Sequence, residues 1–190
     1  SMLTLWLKES GISRANISYA ALIFTVYAIN FLWSPLVELT TPKFFAKFGK
    51  RQSWIFTCQL VIALACVAIA YLNPEINAKH VVLVALVIAT FSATQDIAID
   101  AYRVDSFANS ETEKISAGAG VITAGWWSGY AGIGALPLLL SDRGWQWPQL
   151  YLLLGGITLG LSCITCMLPR PKFSSSQSST ASYVEFLSVT

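Results

Sequence analysis

Apolar residues in this chain gather in long runs, not in the one-sided spacing that gives a soluble helix a single wet face. Runs at 17–36, 54–72, 81–101, 115–140 and 150–168 are each of a length to cross a hydrocarbon layer about 30 Å thick. Each reads as a membrane helix, joined by short connections at 37–53, 73–80, 102–114 and 141–149. The expected fold class is therefore all-α, a polytopic transmembrane helix bundle. Residues 1–16 read as the tail of a truncated helix and an external loop. Residues 17–169 form the expected bundle, and 170–190, rich in Pro, Ser, Lys and Arg, read as a cytoplasmic linker.

Composition agrees with a lipid solvent. The chain is 55% hydrophobic and 12% charged, with a mean hydropathy of +0.59. A soluble domain carries about twice that share of charge. A net charge of +2 with no basic stripe gives no reason to expect nucleic acid. On alternate sides of the expected membrane stand Lys43, Lys47, Lys50, Arg51, Arg103, Lys114, Arg170 and Lys172 against Lys8, Arg14, Lys79 and Arg143. The excess of Lys and Arg marks the first group as cytoplasmic. Trp54, Trp145 and Trp147 fall at span ends, as an aromatic belt requires, whereas Trp126 and Trp127 lie inside a span. Cys58, Cys66, Cys163 and Cys166 read as small buried residues, and His80 as an interfacial one. Cys163 and Cys166 have redox or metal-ligand spacing, but no second pair supports a metal, and no cofactor is expected.

Three groups of residues carry the candidate chemistry. The run 81–105, VVLVALVIATFSATQDIAIDAYRVD, places two aspartates and an arginine near one end of a span. With its middle at Ser92, Asp96 lies about 6 Å and Asp100 about 12 Å from the midplane. An ionised carboxylate costs about 2.5–3.5 kcal/mol at the centre of a span and less toward its edge. Such groups persist where they face a cavity or a partner. At about 100° per residue, Asp96, Asp100 and Arg103 fall within about 60° of one another, with Gln95 about a quarter turn away. The functional reading is a cavity-lining proton or substrate group. The structural reading is an ion-pair network at a helix end, with Asp100–Arg103 as an i, i+3 pair. Asn30 inside an apolar span reads as an interhelical hydrogen bond or a second cavity group.

The second group is Glu38 with the basic stretch Lys43, Lys47, Gly49, Lys50 and Arg51. A carboxylate at one helix end and cations at the start of the next, with Arg103 grouped beside them, can form a cytoplasmic latch between two arrangements of the helices. The third is glycine, with Gly125-xxx-Gly129 and Gly156-xxx-Gly160 at the spacing that lets membrane helices approach closely. No hydrolase triad, phosphate-binding loop or metal cluster accompanies the aspartates. A secondary transporter is the leading reading. A membrane-embedded enzyme using the aspartate pair, and a membrane sensor or scaffold, are the rivals.

FLWSPLVE (31–38) and SATQDIAIDAYRVD (92–105) resemble two segments of the AmpG-type muropeptide permeases, and of the related acetyl-coenzyme A transporters. Both are major facilitator families. The resemblance runs from about Leu3 to Pro169 and implies that the spans are helices two to six of a twelve-helix transporter, without its first helix and C-terminal half. It implies proton-driven import of anhydromuropeptides across the bacterial inner membrane for cell-wall recycling, with an acyl- or acetyl-coenzyme A carrier as the sibling alternative. By motif, Glu38, Gly49, Lys50 and Arg51 would be the cytoplasmic gating signature, and Gln95, Asp96 and Asp100 the polar face of the fourth helix. The chain departs from the family pattern with Glu38 in place of Asp, Asn30 in place of Lys and Trp127 in place of Arg. It thereby loses two cations from a cavity whose aromatic side chains remain to stack on sugar rings.

Overall fold

A computed structural model of the protein describes residues 2–9, 11, 22–42, 49–107 and 112–167. The helices are α1 (Met2–Glu9), α2 (Leu22–Ala28), α3 (Ser34–Leu39), α4 (Lys50–Ala70), α5 (Pro74–Phe107), α6 (Thr112–Ser128), α7 (Leu136–Asp142) and α8 (Trp147–Met167). No strand occurs among the described residues. Among the described residues three helices are long and apolar enough to cross a membrane: Lys50–Ala70, Ile76–Ser106 and Trp147–Met167. The all-α bundle expected from the apolar runs is the fold observed.

The other two expected spans, 17–36 and 115–140, are broken, and a proline stands behind each break. A proline lacks the amide hydrogen and its ring collides with the carbonyl four residues back. For Pro35 that carbonyl belongs to Phe31. The chain there leaves α2, tightens into a 3-10 turn over Asn30–Leu32 and restarts as α3 with Pro35 in the first turn. For Pro137 the carbonyl is that of Ile133. Here α6 widens into a π turn over Gly129–Ile133, closed by the Gly134 amide donating to the Gly129 carbonyl at 2.9 Å. α7 then begins with Pro137 in its first turn. Gly134 is required at this point, because a Cβ would collide with the Tyr130 carbonyl.

α5 differs from expectation in the other direction. Much of the two connections expected around it, 73–80 and 102–114, is helical. Its 34 residues extend about 50 Å, well beyond a hydrocarbon layer, with one departure from helical dihedrals at Asn77. Residues 17–21 of the first expected span, Lys43 and Lys47, and the 170–190 linker lie outside the described residues.

α4 packs along both α5 and α8, and two apolar clusters sit at opposite ends of this trio. One joins Leu3, Trp6 and Leu7 of α1 to Ile69 of α4, Val81 and Ala85 of α5, and Leu150 and Tyr151 of α8. The Trp6 and Tyr151 rings lie 5.3 Å apart. The other joins Val37 of α3, Ile55 of α4 and Ala98 of α5, flanked by Trp33, Trp54 and Tyr102. Between them the Thr165 hydroxyl of α8 donates to Gln59 Oε1 of α4 at 3.1 Å, a buried bond worth about 0.6 kcal/mol between membrane helices.

The glycine expectation shifts by one residue. An added Cβ at Gly125, Gly129, Gly156 or Gly160 would have nothing within 4 Å. At Gly155 it would meet Cys66 Cβ at 3.3 Å and the Ala63 carbonyl at 3.4 Å. Gly155 is therefore the close-contact residue between α8 and α4. The cysteines divide as well: Cys58 and Cys66 are buried, but Cys163 and Cys166 are exposed.

Candidate functional site

α5 carries polar chemistry on two opposite faces at its C-terminal half. Asp96, Asp100 and Arg103 line a cleft of about 1000 Å³ together with Ile122, Thr123, Gly125 and Trp126 of α6. Arg103 Nη1 lies 3.3 Å from Asp100 Oδ1, so the i, i+3 pair forms. Both partners remain open to the cleft, with 42% and 64% of their side chains exposed. Asp96 is also exposed. Beside it, Ser92 hydrogen bonds with the Tyr27 hydroxyl and ties α2 to α5. Opposite the carboxylates, the Trp126 ring stacks on Tyr130 at 5.7 Å with an interplanar angle of 4°, and meets Trp127 edge-on at 5.2 Å.

Gln95 and Asn30 are not part of this lining. Both are half-buried, Gln95 on the flank of α5 and Asn30 in the 3-10 turn. The cleft thus gathers three of the residues singled out on α5 and adds Trp126, which hydropathy had marked only as a tryptophan misplaced within a span.

On the far side of α5, Asp105 lies about 180° around the helix from Asp96. Arg51 Nε donates to Asp105 Oδ2 at 3.0 Å, and Arg51 Nη2 lies 3.6 Å from Glu38 Oε1. Arg51 is only 11% exposed, Asp105 26% and Glu38 61%. Arg51 Nη1 is buried without a hydrogen-bond partner among the described residues. The group is held in place from both sides. Trp33 Nε1 donates to Thr94 Oγ1 at 3.1 Å and fixes α3 on α5. Trp54 Nε1 donates to the Thr40 carbonyl at 3.0 Å and holds the chain just after α3 on α4. Gly49 caps α4 at φ +98°, a backbone that side-chain-bearing residues avoid.

Glu38, Gly49, Lys50 and Arg51 therefore meet at one end of the bundle. Arg103, grouped with them by sequence, turns instead toward Asp100 and the cleft. Asp105 is the member that sequence reasoning missed, although helical arithmetic contained it. Two residues beyond Arg103 is about 200° around the helix, which is the side facing α4. No cluster of metal-ligating side chains occurs among the described residues.

No family model matches the chain. The anhydromuropeptide permease of Escherichia coli K12 is 31% identical over 166 residues, which is 87% of this chain and 33% of the relative. The putative transporter AmpG 4 of Rickettsia conorii is 35% identical over 147 residues, 77% of this chain and 35% of the relative. An uncharacterised Haemophilus influenzae protein is 34% identical over 110 residues, 58% of this chain. The chain is homologous to the AmpG-type permeases. It spans about one-third of the length of these curated relatives. With three membrane-length helices, this AmpG homologue is an integral membrane protein, and the relatives bearing functional names are permeases and transporters, not enzymes.

Proposed function

We propose that the chain is the first-half bundle of a proton-coupled secondary transporter of the major facilitator type that imports anhydromuropeptides across the bacterial inner membrane. The observation that carries this reading is that Asp96 and Asp100 line a cleft between α5 and α6, on a helix long and apolar enough to cross a membrane. With the middle of the 31-residue apolar stretch of α5, residue 91, set at the midplane, Asp96 would lie about 7–8 Å from it. A carboxylate there is costly unless it faces water, a partner or a ligand. In the proposed mechanism Asp96 takes a proton or a substrate hydrogen bond, and its paired neighbour Asp100–Arg103 organises the solute. The Glu38–Arg51–Asp105 group ties α3, α4 and α5 together at the cytoplasmic end and opens as the halves rock about the site. The names of the relatives support transport and the muropeptide class. The cleft chemistry supports a solute site.

The test is uptake of labelled anhydromuropeptide by vesicles carrying the full-length protein, with and without an imposed proton gradient. Asp96→Asn is run beside it at matched expression. Gradient-dependent uptake that drops at least about tenfold in the variant is the expected result, the loss of about 1.4 kcal/mol. Absence of uptake by well-expressed wild type sinks the substrate assignment. Uptake indifferent to both the gradient and the variant sinks the coupling role of Asp96.

A further inference from the structure

We infer that Trp126, braced by Tyr130, is the ring-stacking platform of the α5–α6 cleft and selects a pyranose ring over a nucleotide base. The inference rests on the transporter reading above and names the residue that discriminates within its site. Trp126 is 62% exposed and Tyr130 69%, inside a segment expected to span the membrane, away from the interfacial belt where tryptophans are ordinarily placed. Its indole is not idle packing. One face is occupied by the parallel Tyr130 ring, the edge by Trp127, and the cleft lies alongside. Three aromatic rings so arranged fix the indole plane at little entropic expense, because each has only two side-chain torsions.

Across the cleft stand two carboxylates and one guanidinium, a formal charge of −1 from Asp96, Asp100 and Arg103. A flat apolar surface on one wall and carboxylate acceptors beside a forked donor on the other match a sugar ring. Its C–H face lies on the indole, and its hydroxyls both donate to carboxylates and accept from arginine. A nucleotide base stacks on tryptophan equally well. The phosphates that accompany it, however, would enter a cleft of net negative charge holding a single arginine already paired at 3.3 Å. At this wall charge therefore favours the uncharged ring of a sugar over a base tied to phosphates. Tyr130 acts through Trp126 as a positioning residue. It belongs to the π turn, so the orientation of the platform depends on that turn staying closed.

The experiment uses the full-length protein with Trp126→Ala, Trp126→Phe and, as control, Trp145→Ala, an exposed tryptophan outside the cleft lining. Two readouts are taken: KM and Vmax for labelled anhydromuropeptide uptake, and calorimetric binding of the unlabelled 1,6-anhydro-disaccharide to detergent-purified protein. Trp126→Ala is expected to weaken disaccharide binding and raise KM about tenfold, with Vmax within about twofold. Trp126→Phe should recover most of the affinity, and Trp145→Ala should change it less than about threefold. Unlabelled disaccharide should compete for uptake and coenzyme A should not. Disaccharide binding unchanged by Trp126→Ala, or competition by coenzyme A as strong as by the disaccharide, overturns the inference and leaves the transporter reading in place. Disaccharide binding that depends on Trp126 in a protein that carries no muropeptide overturns the transport assignment alone. A wild type that binds no disaccharide overturns the inference.

Discussion

Truncating Asp105 should destabilise the bundle more than truncating Glu38, although both carboxylates touch the same arginine. Arg51 is 11% exposed, so its guanidinium depends on protein groups for its hydrogen bonds. Asp105 meets it at 3.0 Å through Nε and is 26% exposed; Glu38 stands 3.6 Å from Nη2 and is 61% exposed. Removing one partner of a fully buried pair costs about 3–5 kcal/mol, because a charge is left without compensation. Water reaches part of Asp105, and the amide in Asp105→Asn keeps an acceptor oxygen, so about 1–3 kcal/mol is expected. Glu38→Gln removes a solvated contact and should cost about 0–1 kcal/mol. Arg51→Met combined with Asp105→Leu removes the buried charge and its partner together and should lie within about 1 kcal/mol of wild type. The assay is equilibrium unfolding of the purified full-length protein in mixed detergent and dodecyl sulfate, followed by loss of helical circular dichroism. A cost for Glu38→Gln equal to or above that for Asp105→Asn would falsify the assignment of Asp105 as the principal partner. So would a double variant that falls as far as the sum of its singles.

Two further outcomes follow from backbone contacts. Gly155→Leu should cost about 1–3 kcal/mol in the same unfolding assay, because its side chain would enter the Ala63–Cys66 surface of α4. Gly156→Leu, with open space around it, should stay within about 0.5 kcal/mol; equal losses at both positions would contradict the packing register. Gly134→Ala should open the π turn at a cost of about 1–3 kcal/mol and lower uptake, whereas Gly132→Ala, with nothing within 4 Å, should do neither.

The three rods were legible because apolar residues run through them without a break that a window of membrane length would notice. The same averaging hid the two broken segments. Pro35 and Pro137 stand in plain view in the sequence, yet their flanks are apolar enough to carry hydropathy across them. What breaks the helix is a steric collision with one carbonyl, and hydropathy carries no term for it. Asp96, Asp100 and Arg103 fell on one face by counting residues, since 100° per residue holds well inside a straight helix. Asp105 escaped because it was read as the tail of a motif and not placed around the axis. Gly155 escaped for a different reason. Its neighbour Gly156 completes an attractive spacing, but which glycine faces α4 depends on the rotation of α8, and only packing sets that. The cleft itself was beyond sequence, since it exists through the separation of α6 from α5 and not through any residue pattern.

α5 has the cleft on one side of its C-terminal half and the bond to Arg51 on the other, and the two are joined by one helix. Any turn of that helix about its axis moves Asp96 and Asp105 through the same angle. A solute that favours one rotational setting therefore works against, or with, the grip of Arg51, and thermodynamic linkage makes the influence mutual. On the function proposed above, loosening Arg51 would alter apparent solute affinity by the same factor by which solute alters the strength of that grip. Variants at the bundle end, which touch no solute, then become a gauge of how much binding energy the cleft diverts into turning the helix.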